Sequence, residues 1–208
     1  CESTTISWRS SEPGSSPDLE TVLAADTSLK NQFLLAMPGL TGSYFGASIT
    51  YICEHNAEGA MGLVINKPGE LTLVELLSQI GLDSSAVSID VPVLDGGPVA
   101  TERGFILHTD DRDFETSLDL GDGLMLTAAR DILEAIAEGR GPHQYLVALG
   151  YAGWGEGQLE SEIKDNAWLT CPVSKPVLFE TPFEERVNKA AEVLGIDFRL
   201  ISGQAGHA

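Results

Sequence analysis

Beyond residue 28 the chain is a succession of short apolar runs that Gly, Pro or charged residues interrupt. Runs of this length are typical of buried strands. Strands are predicted at residues 32–37, 48–53, 61–65, 91–94, 105–108, 124–126, 145–150, 168–173, 176–180 and 198–201. Helices, indicated by apolar residues three or four positions apart, are predicted at residues 72–80, 127–138, 158–166 and 182–194. Because the two kinds of element interleave, we expect one compact α+β domain with a mixed sheet and flanking helices over residues 29–208.

Two of the helix starts carry a specific signal. Thr72 is followed three residues later by Glu75, and Thr181 is followed at the same spacing by Glu184. This spacing predicts a capping box, in which each side chain bonds the free backbone N–H of the other residue.

Residues 1–28 differ in composition from the rest of the chain. They contain seven serines, four threonines and two prolines but few large apolar side chains. Such a segment cannot bury enough surface to offset the entropy lost on ordering, so we expect a flexible tail. A Cys1 followed by a Ser/Thr/Pro-rich stretch is also how a processed bacterial lipoprotein begins, and a lipid on Cys1 would place the protein at a membrane.

Acidic residues greatly outnumber basic ones: 31 Asp and Glu against 12 Lys and Arg give a formal net charge of -19. Direct nucleic-acid binding and polybasic membrane contacts both need clustered Lys and Arg, so we expect neither. No apolar run approaches the roughly 20 residues of a membrane span. Three cysteines without close spacing do not indicate a disulfide framework. Together these features predict a cytosolic protein.

Cys53, Glu54 and His55 stand at the end of a predicted strand, where loops often present reactive groups. Alternate residues of a strand share a face, so Cys53 and His55 are expected on the same side. A histidine beside a cysteine can lower the pKa of the thiol, which makes a cysteine-dependent enzyme or redox sensor one hypothesis. The alternative is a buried, apolar Cys53 and a His55 that caps a turn. Because no other Cys, His or acid spacing strengthens catalysis, a non-enzymatic role is favoured.

The segment GYAGWGEG (150–157) lies between a predicted strand and a predicted helix. Backbone N–H groups at such a turn can hold an anion, which makes Gly153 and Trp154 candidate ligand-binding residues. The segment matches neither the phosphate-binding loop nor the dinucleotide fingerprint, and it lacks a nucleophile for a hydrolase elbow. The alternative is a tight turn in which Trp154 fills the edge of the core.

Lys67 and Arg103 are two of only twelve basic residues, and both adjoin stretches rich in Gly and Pro. With Asn66, Gly96 and Gly97, they are candidates for binding a small anionic ligand. Pairing of the two cations with nearby carboxylates is the alternative.

Metal binding is not indicated. No two of the four histidines have the spacing that places two ligands on one element; they are His55, His108, His143 and His207. The acidic run 110–113 lacks the remaining ligands of a calcium loop. We therefore expect no metal site and no cofactor.

Long strings of the chain resemble the bacterial AlgH/YqgE family. They are LLAMPGLTGSYFGASITYICEHNAEGAMGLVINKP (34–68), LDGGPVATERGFILH (94–108), LTAARDILEAIA (126–137), LGYAGWGEGQLESEIKDNAWL (149–169) and LGIDFRLISGQAGHA (194–208). The resemblance runs in unbroken order from about residue 29 to residue 208, and strings this long are far more specific than a short motif. The first 28 residues depart from it, since members usually begin near the segment equivalent to Leu29.

The resemblance implies a compact α+β domain in the bacterial cytosol, and it implies little chemistry. The family name reflects a proposed regulatory role in the transcription of alginate exopolysaccharide genes. At a net charge of -19, such regulation is expected to be indirect. The hypothesis from sequence is therefore a regulatory or interaction protein that acts through a protein partner or a small ligand.

Overall fold

Ten strands form one curled sheet in the computed structural model, which describes residues 28–198. The strands are β1 (Gln32–Ala36), β2 (Ile49–Asn56), β3 (Gly59–Val64), β4 (Pro68–Thr72), β5 (Pro92–Asp95), β6 (Val99–Thr109), β7 (Ser117–Gly121), β8 (Leu124–Thr127), β9 (Tyr145–Gly155) and β10 (Trp168–Pro172). The main order is β10-β1-β2-β3-β9-β6-β8-β7, with β5 beside β9 and β4 beside β5. Strand β5 runs parallel to β9, whereas the other pairs in the described part of the chain are antiparallel.

Five short helices flank the sheet within residues 28–198, which confirms the predicted α+β class. They are α1 (Leu73–Gln79), α2 (Arg130–Ala137), α3 (Gln158–Lys164), α4 (Lys175–Phe179) and α5 (Arg186–Glu192). Single 3-10 turns occur at Pro38–Leu40 and Phe183–Glu185. Within residues 28–198, no helix is both long and apolar enough to cross a membrane.

The capping box predicted at Thr72 is confirmed. The Thr72 hydroxyl accepts a hydrogen bond from the Glu75 N–H at 3.3 Å, and the Glu75 carboxylate accepts one from the Thr72 N–H at 2.9 Å. Leu73 and Leu77, one turn apart, are fully buried beneath α1.

Two predictions near the end of the described chain were wrong. Residues 176–180 were predicted as a strand, but they belong mainly to helix α4, because a run of four apolar residues fits one helical turn as well as a strand. The capping box at Thr181 is absent, since the Thr181 hydroxyl donates to the Pro176 carbonyl at 3.0 Å and a 3-10 turn precedes α5.

Apolar side chains pack in three groups on the faces of the sheet. The inner cluster lies under α4 and α5 and includes Phe33, Tyr51, Cys53, Leu63 and Leu107. The tryptophan cluster lies on the opposite face of β1, β2 and β3, and comprises Leu34, Ala36, Ile52, Ala60, Ala152, Trp154, Leu159 and Trp168. A third cluster packs α1 and α2 against β5, β6 and β9.

Some predictions fall outside the described residues. One is the tail at 1–28, including Cys1, of which only Ser28 is described. The other is the strand at 198–201, of which only Phe198 is described. Strands β4 and β7, by contrast, are present in the structure without having been predicted.

Candidate functional site

Cys53 and His55 lie on opposite faces of the sheet, because a β-bulge interrupts β2 between them. Three residues of β2 (52–54) oppose two residues of β3 (61–62). Cys53 therefore faces the inner cluster, whereas His55 pairs with Ala60 of the tryptophan cluster. The prediction that Cys53 and His55 share a face was wrong, because an extra residue reverses the alternation of side chains beyond it.

The Cys53 thiol is fully buried, and its Sγ donates a weak hydrogen bond to the Tyr51 carbonyl at 3.8 Å. Burial raises the pKa of this thiol well above its ordinary value, and the neighbouring Glu54 carboxylate raises it further. A cysteine nucleophile must be a thiolate that the substrate can reach. The geometry therefore does not support a Cys53–His55 catalytic pair.

Both ring nitrogens of His55 are already engaged. The Leu29 N–H donates to Nδ1 at 2.8 Å, so Nε2 carries the proton and donates to the Glu160 carboxylate at 2.8 Å. The Ser28 hydroxyl also donates to the His55 carbonyl, at 3.1 Å. The pKa of Glu160 is lowered, first by its own backbone N–H and then by the His55 ring. His55 thus fastens the segment at Ser28 and Leu29 to the sheet.

Residues 150–155 form part of strand β9, so the turn predicted there was wrong. Gly153 pairs with Met61, and the strand continues to Gly155, whose N–H donates to the Gln158 side chain at 3.0 Å. Helix α3 begins only at Gln158 and has seven residues. The predicted backbone cradle for an anion is therefore not formed around Gly153.

Trp154 is held in the tryptophan cluster by a shared carboxylate that the sequence did not indicate. Glu162 Oε2 accepts hydrogen bonds from the indole N–H groups of Trp154 at 2.9 Å and Trp168 at 2.8 Å. Phe45 stacks on Trp154 with ring centroids 6.0 Å apart and meets Trp168 edge-on at 5.4 Å. The one local signal for Glu162 was its spacing of four residues from Gln158, whose side chain also donates to it.

Gly96 and Gly97 allow the backbone to pass close to β9. A Cβ on Gly97, which has φ of 156°, would overlap the backbone of Tyr151, and a Cβ on Gly96 would overlap the Gly150 carbonyl. Gly150 itself has φ of 73° and no space for a Cβ beside Gly97. Close packing accounts for these glycines, and neither Gly96 nor Gly97 lines the groove described next.

A groove of about 740 Å³ opens beside β4 and β5. It is lined by Asn66, Lys67, Pro68, Gly69, Glu70, Leu71, Val93, Leu94, Asp95, Thr101 and Leu149. The volume lies within the range of ligand pockets in proteins. Of the residues singled out from the sequence, the groove brings together Asn66 and Lys67. The Asn66 side chain accepts from the Ile49 N–H at 3.0 Å and donates to the Ala47 carbonyl at 2.9 Å, which fixes the wall of the groove.

Tyr44 connects Lys67 and Asp95, two of the charged residues that line this groove. Its hydroxyl donates to Asp95 Oδ1 at 2.6 Å, and its carbonyl accepts a hydrogen bond from the Lys67 ammonium, which lies 4.6 Å from the centre of the Tyr44 ring. Burial, and then the hydrogen bond to Asp95, raise the pKa of the Tyr44 phenol well above its ordinary value. Tyr44 and Asp95 were not recognised from the sequence, because the residues lie 51 positions apart.

Arg103 does not join Lys67 in the groove. Its exposed guanidinium lies 5.3 Å from the centre of the Phe105 ring, and Arg103 is not among the lining residues. The groove instead holds two carboxylates, Glu70 and Asp95, against the single ammonium of Lys67. The groove therefore does not bring Lys67 and Arg103 together.

His108 forms a buried polar network that the sequence did not reveal. The ring lies in the core, where Nδ1 donates to the Thr109 carbonyl at 2.8 Å and Nε2 accepts from the Thr127 hydroxyl at 2.8 Å. Thr127 Oγ1 lies 2.7 Å from the Ser117 hydroxyl. Burial lowers the pKa of His108. Within residues 28–198, no three His, Cys, Asp or Glu side chains are arranged to hold a metal ion.

Comparison with known proteins places these features in a family. The sequence profile of the AlgH-like family (DUF179) matches residues 33–199. A UPF0301 protein of Thioalkalivibrio sulfidiphilus is 52% identical over 186 residues, which cover 89% of this chain and 100% of that protein. A UPF0301 protein of Pseudomonas putida is 48% identical over 186 residues, with 88% of this chain and 98% of that protein covered.

Solved structures are similar as well. The solution structure of the AlgH protein from Pseudomonas aeruginosa matches with a TM-score of 0.73 and 44% identity, covering 97% of this chain and 100% of that one. The crystal structure of protein DIP2367 from Corynebacterium diphtheriae matches with a TM-score of 0.64 over 86% of this chain and 96% of that one. At 15% identity, the second match shows the fold alone.

Proposed function

The chain belongs to the AlgH-like family, and from this premise we propose that it is a regulatory interaction protein that binds a protein partner in the groove beside β4 and β5. The groove is the observation that carries the proposal. It is open, and its lining combines the apolar Leu71, Leu94 and Leu149 with charged groups, of which Lys67 and Asp95 both contact Tyr44. The sequence left a protein partner and a small anionic ligand as alternatives. The carboxylates of Glu70 and Asp95 in the groove favour the protein partner, because they repel an anion.

The regulatory part of the proposal comes from the family resemblance. The family name reflects a proposed role in transcription of alginate-type exopolysaccharide genes. We propose that this protein acts on such genes indirectly, from the cytosol. The distribution of cations supports an indirect role. In helix α5, Arg186 is buried and Lys189 pairs with Glu192 at 2.8 Å, so neither offers a free charge to DNA.

The experiment that tests the proposal blocks the groove without disturbing the core. Thr101 and Glu102 are neighbouring exposed residues, but Thr101 lines the groove and Glu102 does not. We expect Thr101→Trp to abolish recovery of a stoichiometric partner from lysate of the source bacterium, while Glu102→Trp retains it. A bacterial strain carrying Thr101→Trp should show the same transcript changes as a deletion strain. Equal partner recovery by the two variants would exclude the groove as the binding site.

A further inference from the structure

The charges and contacts of the groove indicate the chemistry of the segment that it binds. We infer that the groove receives a basic side chain of an extended segment of the partner protein, and that its contact with Asp95 alters the packing of Tyr44 and Phe45 on the tryptophan cluster. The inference rests on the proposed function, because it concerns the same groove.

Asp95 is the most favourable position for a cation. Its Oδ1 accepts from Tyr44, whereas its Oδ2 has no hydrogen-bond partner among the residues that the structure describes. Glu70 adds a second carboxylate to the lining, and the ammonium of Lys67 is turned toward the Tyr44 carbonyl. The net charge of -19 adds long-range attraction for a basic partner.

The apolar walls suit the rest of such a side chain. Leu71, Leu94 and Leu149 line the groove together with Glu70 and Asp95. Arg and Lys bury their aliphatic stems along apolar surface and keep the charged head at polar groups. A small inorganic cation would leave these walls uncovered, so a side chain on an extended segment is the better fit.

Residues 38–47, which we name the strap, connect the groove to the tryptophan cluster. Tyr44 is bound at Asp95, and the next residue, Phe45, packs against both Trp154 and Trp168. The rings of Tyr44 and Phe45 are themselves in edge contact, with centroids 5.2 Å apart. Because a guanidinium can bind a carboxylate through both oxygens, an arginine at Asp95 competes with the Tyr44 hydroxyl for Oδ1. Occupancy of the groove therefore shifts the strap from an arrangement with Tyr44 bound at Asp95 to one with Tyr44 released. This shift changes the environment of the Trp154 and Trp168 indoles through Phe45.

The test is an NMR titration with two matched tripeptides, Ac-Ala-Arg-Ala-NH2 and Ac-Ala-Glu-Ala-NH2. We expect the arginine peptide to shift the backbone amides of Lys67, Leu94 and Asp95 with a dissociation constant of about 1–10 mM, because burial of the arginine stem on the apolar walls adds to one partly exposed charge pair. The indole N–H resonances of Trp154 and Trp168 should shift with the same saturation curve. The glutamate peptide should cause no saturable change.

Three variants separate binding from coupling. Asp95→Asn keeps an acceptor for Tyr44 but removes the charge. It should therefore lower the affinity for the arginine peptide about fivefold, while the indole resonances of the free protein stay in place. Tyr44→Phe removes the hydroxyl, so it should shift the indole resonances before any peptide is added. Glu58→Gln removes an exposed charge away from the groove and should change neither measurement.

Each result has one meaning. Groove amides that respond while both indoles stay still would overturn the coupling and leave the groove as a binding site. Binding of the glutamate peptide, or no response to the arginine peptide at 20 mM (about twice the weakest expected dissociation constant), would overturn the basic segment. The proposed function is judged separately, since partner recovery by Thr101→Trp and Glu102→Trp does not depend on the peptide.

Discussion

At the scale of single residues, burial decides which reactive groups can act. Cys53 and His55 are adjacent to the same bulge, yet the bulge turns one toward the inner cluster and the other toward Glu160. His108 shows the same principle, because its ring is enclosed and both nitrogens are bonded within the protein. The chemistry of these side chains is thus set by their surroundings and not by their type.

The thiols should be unreactive in the folded protein. Burial raises the pKa of Cys53 well above its ordinary value and that of Cys171 to about 11. We expect iodoacetamide at pH 8 to modify neither residue until urea unfolds the chain, as followed by peptide mass mapping that separates both from Cys1. Rapid native labelling of Cys53 at neutral pH would instead support the enzyme or redox hypothesis.

His108 should make stability depend on pH in one direction. Its pKa in the folded protein lies below the unfolded value of about 6.5, so the unfolded chain binds more protons between the two values. Its contribution to the free energy of unfolding is therefore present above about pH 6.5 and is lost as the pH falls toward the folded pKa. NMR titration of the His108 ring should give a pKa below 6.5. A ring that titrates at or above 6.5 would contradict the burial argument.

At the scale of elements, helix α3 is attached to the sheet through one carboxylate. Glu162 accepts from the indoles of Trp154 on β9 and Trp168 on β10, and Leu159 of the same helix is buried beside them. The helix has seven residues, which is too short to be stable alone, so these contacts determine its position.

Removal of this carboxylate should destabilise the protein. Glu162→Ala leaves two indole N–H groups without their acceptor, and we expect the free energy of unfolding to fall by about 2–3 kcal/mol. Glu162→Gln retains a carbonyl acceptor, so the free energy of unfolding should fall by less than in Glu162→Ala. The matched control is Glu156→Ala, an exposed glutamate in the turn before the helix, which should change stability by less than about 0.5 kcal/mol. Urea unfolding of the three variants measures this, and equal effects of Glu162→Ala and Glu156→Ala would refute it.

At the scale of the whole molecule, negative charge governs which partners can approach. The net charge of -19 repels polyanions at long range. Several basic side chains in the described part of the chain are buried or bonded within the protein. Arg186 is buried, Lys67 donates to the Tyr44 carbonyl in the strap, and Lys189 pairs with Glu192.

The protein should therefore not bind duplex DNA at physiological salt. Binding would need several phosphate contacts from free Lys and Arg, which the described surface does not present as a patch. An electrophoretic mobility assay with promoter fragments and with unrelated DNA should show no retardation by either. Tight, salt-sensitive retardation would contradict the indirect regulation proposed above.

The sequence alone determined the features that depend on residues within one helix or strand. The Thr72–Glu75 capping box, the apolar strands and the α+β class could be predicted because each depends on neighbours a few positions away. Acidity likewise followed from composition alone. The tertiary structure decided what the spacing of residues does not encode: the bulge at Cys53, the continuation of β9 through Gly155, and the meeting of Tyr44 with Asp95. The bulge depends on the register of the β2–β3 hairpin, and the other two depend on contacts between segments far apart in the chain.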